Sequence, residues 1–253
     1  MQHPKKSKKQ QRKLNRQTQP FQQSTLDFKT RIQPITLNQK RAFDAYYEDK
    51  HLMLHGTAGT GKSFISLYLA LKEVMNSDIY KKVVIVRSVV QLRDMGHLPG
   101  SQKEKMKVYE APYYSICAEL FGRGDAYELL KNKNQIEFIS TSFIRGTTLS
   151  DCIVVVDECQ NLTDHEANSI ITRVGDNCKI VFCGDIRQSD LNKRKEVSGL
   201  GDFMKIIRRM KSFEFIEFMP QDIVRSKLVK EYILIRNELE DRNVIEPLSR
   251  ICA

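Results

Sequence analysis

From residue 52 onward, short apolar runs recur at intervals along the chain. They are Leu52–Leu54, Val83–Val86, Ile136–Ile139, Ile153–Val156, Ile180–Cys183 and Phe213–Phe218. These runs are short and apolar throughout, which is the pattern of strands covered on both faces. Segments with helical spacing separate most of them: 62–75, 109–121, 164–174 and 200–210. "TLNQKRAFDAYYED", from Thr36, reads as a capped helix ahead of the first run, and 225–240 reads as a closing helix after the last. Strands alternating with helices predict an α/β fold built on a mainly parallel sheet. No internal repeat is visible.

The first 24 residues break this pattern. "MQHPKKSKKQQRKLNRQTQPFQQS" is rich in Lys and Gln and has almost nothing to bury, so a disordered tail is expected over 1–24 and one folded domain over 25–253. The charge is also concentrated here. Residues 1–41 hold eleven Lys and Arg against one acid, Asp27, a local +10 that equals the net charge of the whole chain. The remaining residues carry 30 of each sign (41 less 11 and 31 less 1) and are neutral overall. The tail serves either as a solubilising segment or as an electrostatic arm for nucleic acid.

Six cysteines, at 117, 152, 159, 178, 183 and 252, form no C-x-x-C pair, and three lie in or beside the apolar runs. That argues against a zinc site or a disulfide framework and for a reducing, cytoplasmic compartment. No apolar run approaches the roughly 20 residues needed to span a bilayer. The charged N-terminus lacks the apolar segment of a secretory signal.

The first strand candidate runs into "GTAGTGKS": Gly56, Thr57, Ala58, Gly59, Thr60, Gly61, Lys62 and Ser63. This is the G-x-x-x-x-G-K-[ST] spacing of a phosphate-binding loop. Glycines let the backbone bring its N–H groups close to phosphate oxygens, and the following helix adds the partial positive charge of its N-terminus. Lys62 reaches the β- and γ-phosphates, and the Ser63 hydroxyl ligates Mg²⁺. Phe64, Leu67, Tyr68, Leu71 and Met75 continue at helical spacing, with Ile65 and Leu69 making the helix apolar almost all round.

A second strand, in "CIVVVDECQN", ends in two acids, Asp157 and Glu158. Strand ends face the crevice where ligands bind in α/β sheets. Asp157 suits the metal, directly or through water, and Glu158 suits polarisation of an attacking water. A third strand ends in "VFCGDIRQSDL", which aims Asp185 and Gln188 at the same crevice, with Gln188 sensing the γ-phosphate or orienting the water.

In this order, "GTAGTGKS", "VVVDECQN" and "GDIRQ" resemble the ATPase core of superfamily-1 helicases. The chain resembles more closely still the PhoH-like family of ATPases, through "GHLPGSQKEKM", "FIRGTTL", "TRVGDNCKIVFCGDIRQSDL" and "QDIVRSKLV". The resemblance runs from about Thr36 to about Glu240. It implies a single RecA-like P-loop NTPase domain, ATP with Mg²⁺ as cofactors, and ring-shaped homo-oligomers such as hexamers. It also implies that Gln39 reads the adenine edge, although Thr36 and Gln39 are equally spaced for a capping box. Likewise it implies that Arg225 touches the γ-phosphate, in its own subunit or a neighbour's. Cys159 and Ser226 depart from the family's usual residues. Residues 1–35 are too short and too basic for the ribonuclease domain of some relatives.

The basic groups Arg87, Arg93, Lys103, Lys105 and Lys107, followed by Tyr109, Tyr113 and Tyr114, fit single-stranded RNA or DNA, as does Arg145. The rival reading puts the tyrosines in the core and has Arg145 brace its loop. The favoured function is an Mg-dependent ATPase acting on nucleic acid, with helicase-like activity only as an oligomer. The alternatives are a nucleotide-dependent regulatory module with slow turnover, and a small-molecule kinase, which the D-E and G-D-x-x-Q series disfavours.

Overall fold

The computed structural model describes residues 26–76, 78–88, 102–185, 200–242 and 244, without the side chains of 102–105 and 241. Six strands form one sheet: β1 (His51–Gly56), β2 (Lys82–Arg87), β3 (Ile136–Ser140), β4 (Cys152–Asp157), β5 (Cys178–Gly184) and β6 (Phe213–Phe218). Their spatial order is β3-β2-β4-β5-β1-β6, and every pairing is parallel. Each corresponds to one of the apolar runs.

Alternate side chains of the strands enter two separate cores, which explains why the runs lack alternation. Leu52, Leu54, Val83, Ile85, Ile153, Val155, Val181, Ile216 and Phe218 face one side. There they meet α1 (Leu37–Tyr47), α2 (Lys62–Asn76), α3 (Gln102–Phe121) and α4 (Ala126–Asn132). Met53, Val84, Val86, Val154, Val156, Ile180 and Phe182 face the other side, against α5 (Asp164–Ile171) and α6 (Leu200–Ile207). A last helix, α7 (Lys227–Asp241), follows β6. The expected α/β sheet with helices on both faces is therefore present. No helix among the described residues is long and apolar enough to cross a membrane.

Helix ends differ from the sequence reading in instructive ways. α3 begins at Gln102 rather than 109 and continues through Pro112. α5 stops at Ile171, short of 174, because Leu149 N–H bonds to Arg173 O and Leu149 pairs with Val174 as a bridge. α6 ends at Ile207 rather than 210, and α4 was not anticipated at all. The proposed 1–24 tail lies outside the described residues.

Candidate functional site

The phosphate loop leaves the C-terminal end of β1 and turns into α2. Its start is locked to the neighbouring strand. Thr57 N–H bonds to Phe218 O at 2.9 Å, and a Cβ on Gly56 (φ +108°) would come within 2.3 Å of that same oxygen. Only glycine fits so close an approach in this backbone region. Thr60 is fully buried, and its hydroxyl donates to Thr57 O at 3.0 Å.

Lys62 opens α2 with its side chain folded back into the loop. Its ammonium donates to Gly56 O (2.8 Å), Thr57 O (2.7 Å) and the Thr60 hydroxyl (3.3 Å). All three acceptors are neutral. Burial lowers the Lys62 pKa, and Asp185 and Glu158 nearby oppose the shift. The loop thus holds an incompletely neutralised cation beside a helix N-terminus, which is the electrostatic setting for a phosphate group.

The sheet order brings the acids to this loop. β5 lies between β1 and β4, and all three end on the same side. Ser63 donates its hydroxyl to Asp157 Oδ1 at 2.6 Å, across 94 positions of sequence. Tyr113 of α3 donates to Asp157 Oδ2 at 2.9 Å. A hydroxyl and a carboxylate side by side form a hard-oxygen set suited to Mg²⁺, which takes few protein ligands and completes its shell with phosphates and water. The residues present fit that ion.

Glu158 stands in the left-handed region, at φ 51° and ψ 43°. For a residue with a Cβ this conformation costs about 1–2 kcal/mol. The Glu158 carboxylate has different partners from that of Asp157. Gln160 donates to Glu158 Oε2 at 2.5 Å, and Asp185 N–H donates to Gln160 Oε1 at 3.0 Å. Arg87, in register with Asp157 on β2, lies 3.9 Å from Glu158 Oε1. Burial raises the Glu158 pKa, and Asp157 adds to the rise.

Two further expected residues reach the loop from its flanks. Gln39 is buried; its amide donates to Thr60 O at 3.0 Å, and its carbonyl accepts from Ile35 N–H at 2.8 Å. Gln39 N–H bonds to the Thr36 hydroxyl, so the helix cap exists, but the reciprocal half of a capping box goes to Ile35 instead. Arg225 is exposed and lies on the loop of its own chain: its Cγ is 3.1 Å from where a Gly59 Cβ would sit. Val224 N–H bonds to Gly59 O at 3.1 Å. Gln188 and Arg93 lie outside the described residues, as do the side chains of Lys103 and Lys105.

The aromatic half of the expected nucleic-acid surface is corrected. Tyr109 and Tyr113 are buried, and Tyr114 packs on Tyr127 and bonds to Glu128. The rings of Tyr109 and Tyr113 are thus part of the core and have no face to offer a base, while Tyr114 is half-buried against Tyr127. Arg87 is engaged by Glu158 and the Tyr109 ring, leaving Lys107 as an exposed cation there. Arg145 is exposed beside His165, at 3.3 Å. Sequence reasoning missed the parts that Tyr113, Arg87 and Gln160 play. The register of β2 on β4 and the packing of α3 bring Arg87 and Tyr113 to the acids, and the turn at Cys159–Asn161 folds Gln160 back onto Glu158.

A glycine loop after β1, a buried lysine within it, and a hydroxyl–carboxylate pair spanning to β4 define a P-loop NTPase of RecA-type architecture. Its family follows from comparison with known proteins. The family model described as "PhoH-like protein" matches residues 31–236, and the chain belongs to that family. A PhoH-like protein of Bacillus subtilis is 32% identical over 203 residues, covering 80% of this chain and 63% of that protein. One of Mycobacterium leprae is 30% identical over 230 residues, covering 89% and 65%. The chain thus spans slightly under two thirds of the length of these relatives. Among solved structures, the Pif1 helicase of Candida albicans aligns at a TM-score of 0.43 and 17% identity, over 85% of this chain and 46% of that one.

Proposed function

We propose that this protein binds ATP with Mg²⁺ and hydrolyses it, coupled to single-stranded RNA or DNA. The observation that carries the reading is the Ser63–Asp157 hydrogen bond of 2.6 Å, which joins the loop to the acid strand at one point. The N–H groups from Thr57 to Lys62 would surround the phosphates, with Lys62 turning from the loop carbonyls toward them. Ser63 and Asp157 would hold the ion, which supplies charge neutralisation on the phosphoryl oxygens. Glu158 would accept a proton from the attacking water, assisted by Gln188. Arg225 would contact the γ-phosphate from the same chain, and Gln39 would meet the adenine edge after releasing Thr60 O.

Support for nucleic acid comes from the basic segment at 1–41. A homo-oligomeric ring, hexameric in the fullest version, rests on the family resemblance. A second reading, a nucleotide switch with slow turnover, is favoured by one observation: Glu158 is held by Gln160 and faced by Arg87. Measuring ADP release with and without Mg²⁺, single-stranded RNA and single-stranded DNA separates the two. Strong stimulation supports the coupled ATPase, and a flat response supports the switch. Glu158→Gln should retain ATP and release ADP at least about 100-fold more slowly. Normal turnover by that variant would remove Glu158 as the base.

A further inference from the structure

Asp157 is buried, and both of its oxygens are occupied by donors from different elements. Oδ1 takes the Ser63 hydroxyl at the start of α2, and Oδ2 takes the Tyr113 hydroxyl from the middle of α3. A carboxylate with one donor can rotate about its Cβ–Cγ bond. With a donor on each oxygen, it cannot rotate without breaking one of them. Tyr113 is itself fixed: it is 2% exposed, its ring lies 5.8 Å from that of Phe138, and the Arg87 guanidinium acts on its hydroxyl.

From this geometry we propose that Tyr113 is a positioning residue for the magnesium ion of the bound nucleotide. Its hydroxyl pins Oδ2 and thereby presents Oδ1 to an ion shared with Ser63. The inference rests on the nucleotide-binding reading above and adds a residue to it. Partners that orient a metal ligand typically change metal affinity about 10–100-fold when removed. Tyr113→Phe deletes one oxygen and keeps the ring in the core.

The test uses the full chain and a fluorescent ribose-labelled ATP, with affinity measured in EDTA and then at increasing Mg²⁺. Tyr127→Phe is the control; this buried tyrosine of α4 has its hydroxyl beside Glu110, away from the acids. The expected result is a Mg²⁺ midpoint raised about 10-fold in Tyr113→Phe, with affinity in EDTA unchanged and Tyr127→Phe behaving as wild type. Should Tyr113→Phe fail to fold, Tyr113→Met, whose flexible side chain refills the ring site, carries the same comparison. An unchanged midpoint overturns the proposal while the wild type still binds nucleotide. A matching shift in Tyr127→Phe, or lost affinity in EDTA, overturns it too and assigns Tyr113 a packing role. A wild-type protein that binds no nucleotide overturns the underlying reading, and this inference with it.

Discussion

Lys62 is a buried cation whose hydrogen bonds, among the described residues, go to neutral oxygens. Such a group is costly to the fold unless an anion completes it. Lys62→Ala is therefore expected to weaken nucleotide binding at least about 30-fold, or about 2 kcal/mol, for loss of a charge-assisted bond. A melting curve like that of the wild type would show that the loss is not unfolding. His55, buried on β1 next to the loop, titrates differently from an exposed histidine. Burial lowers its pKa below the ordinary value near 6.5, and Glu217 opposes the shift. Below that ordinary value the unfolded chain binds a proton that the native chain refuses. Stability from this group is thus full above about pH 6.5 and declines as pH falls below it. Melting temperatures across pH 5–7.5 should fall less steeply in His55→Phe; an equal slope would exclude His55 as the cause. At this scale, the glycines, Lys62, Ser63, Asp157 and Glu158 were legible in the sequence because their chemistry depends on local spacing. Tyr113 was not, because folding brings its partner from 44 positions away, and Gln160 was not, because its bond to Glu158 depends on the conformation of the turn between them.

At the level of elements, all six strands were legible because each is buried on both faces and so reads as a continuous apolar run. α4 was missed because the seven residues Ala126–Asn132 are too few to establish a period. The junctions between elements carry the most demanding contacts. Gly184, at the end of β5, leaves no room for a side chain: a Cβ there would lie 2.6 Å from both Cys159 Sγ and Gln160 Oε1. Gln160 is also the group that holds Glu158. Gly184→Ala is therefore expected to lower stability by about 1–3 kcal/mol through overpacking. It should also displace Gln160 and alter ATP turnover more than nucleotide affinity. Denaturant unfolding and a kcat-against-KM comparison check the two effects. A variant as stable as wild type would show that the Cys159–Gln160 turn yields freely.

Across the whole molecule, charge is divided between a basic segment at 1–41 and a remainder that sums to zero. If the basic tail is an arm for nucleic acid, deleting residues 1–24 should weaken binding and reduce the slope of log affinity against log salt. An unchanged slope would assign it to solubility. The particle mass with ATP present should be a multiple of 29.4 kDa if the ring forms. The sequence by itself determined the strands, the phosphate loop and the acid pair, because burial on two faces and glycine-dependent backbone geometry are written in consecutive residues. Tertiary structure decided which donors hold Asp157, where Glu158 points and that Arg225 lies on its own loop. Those outcomes depend on the strand order and on helix packing, which place residues such as Ser63 and Asp157, 94 positions apart, within bonding distance.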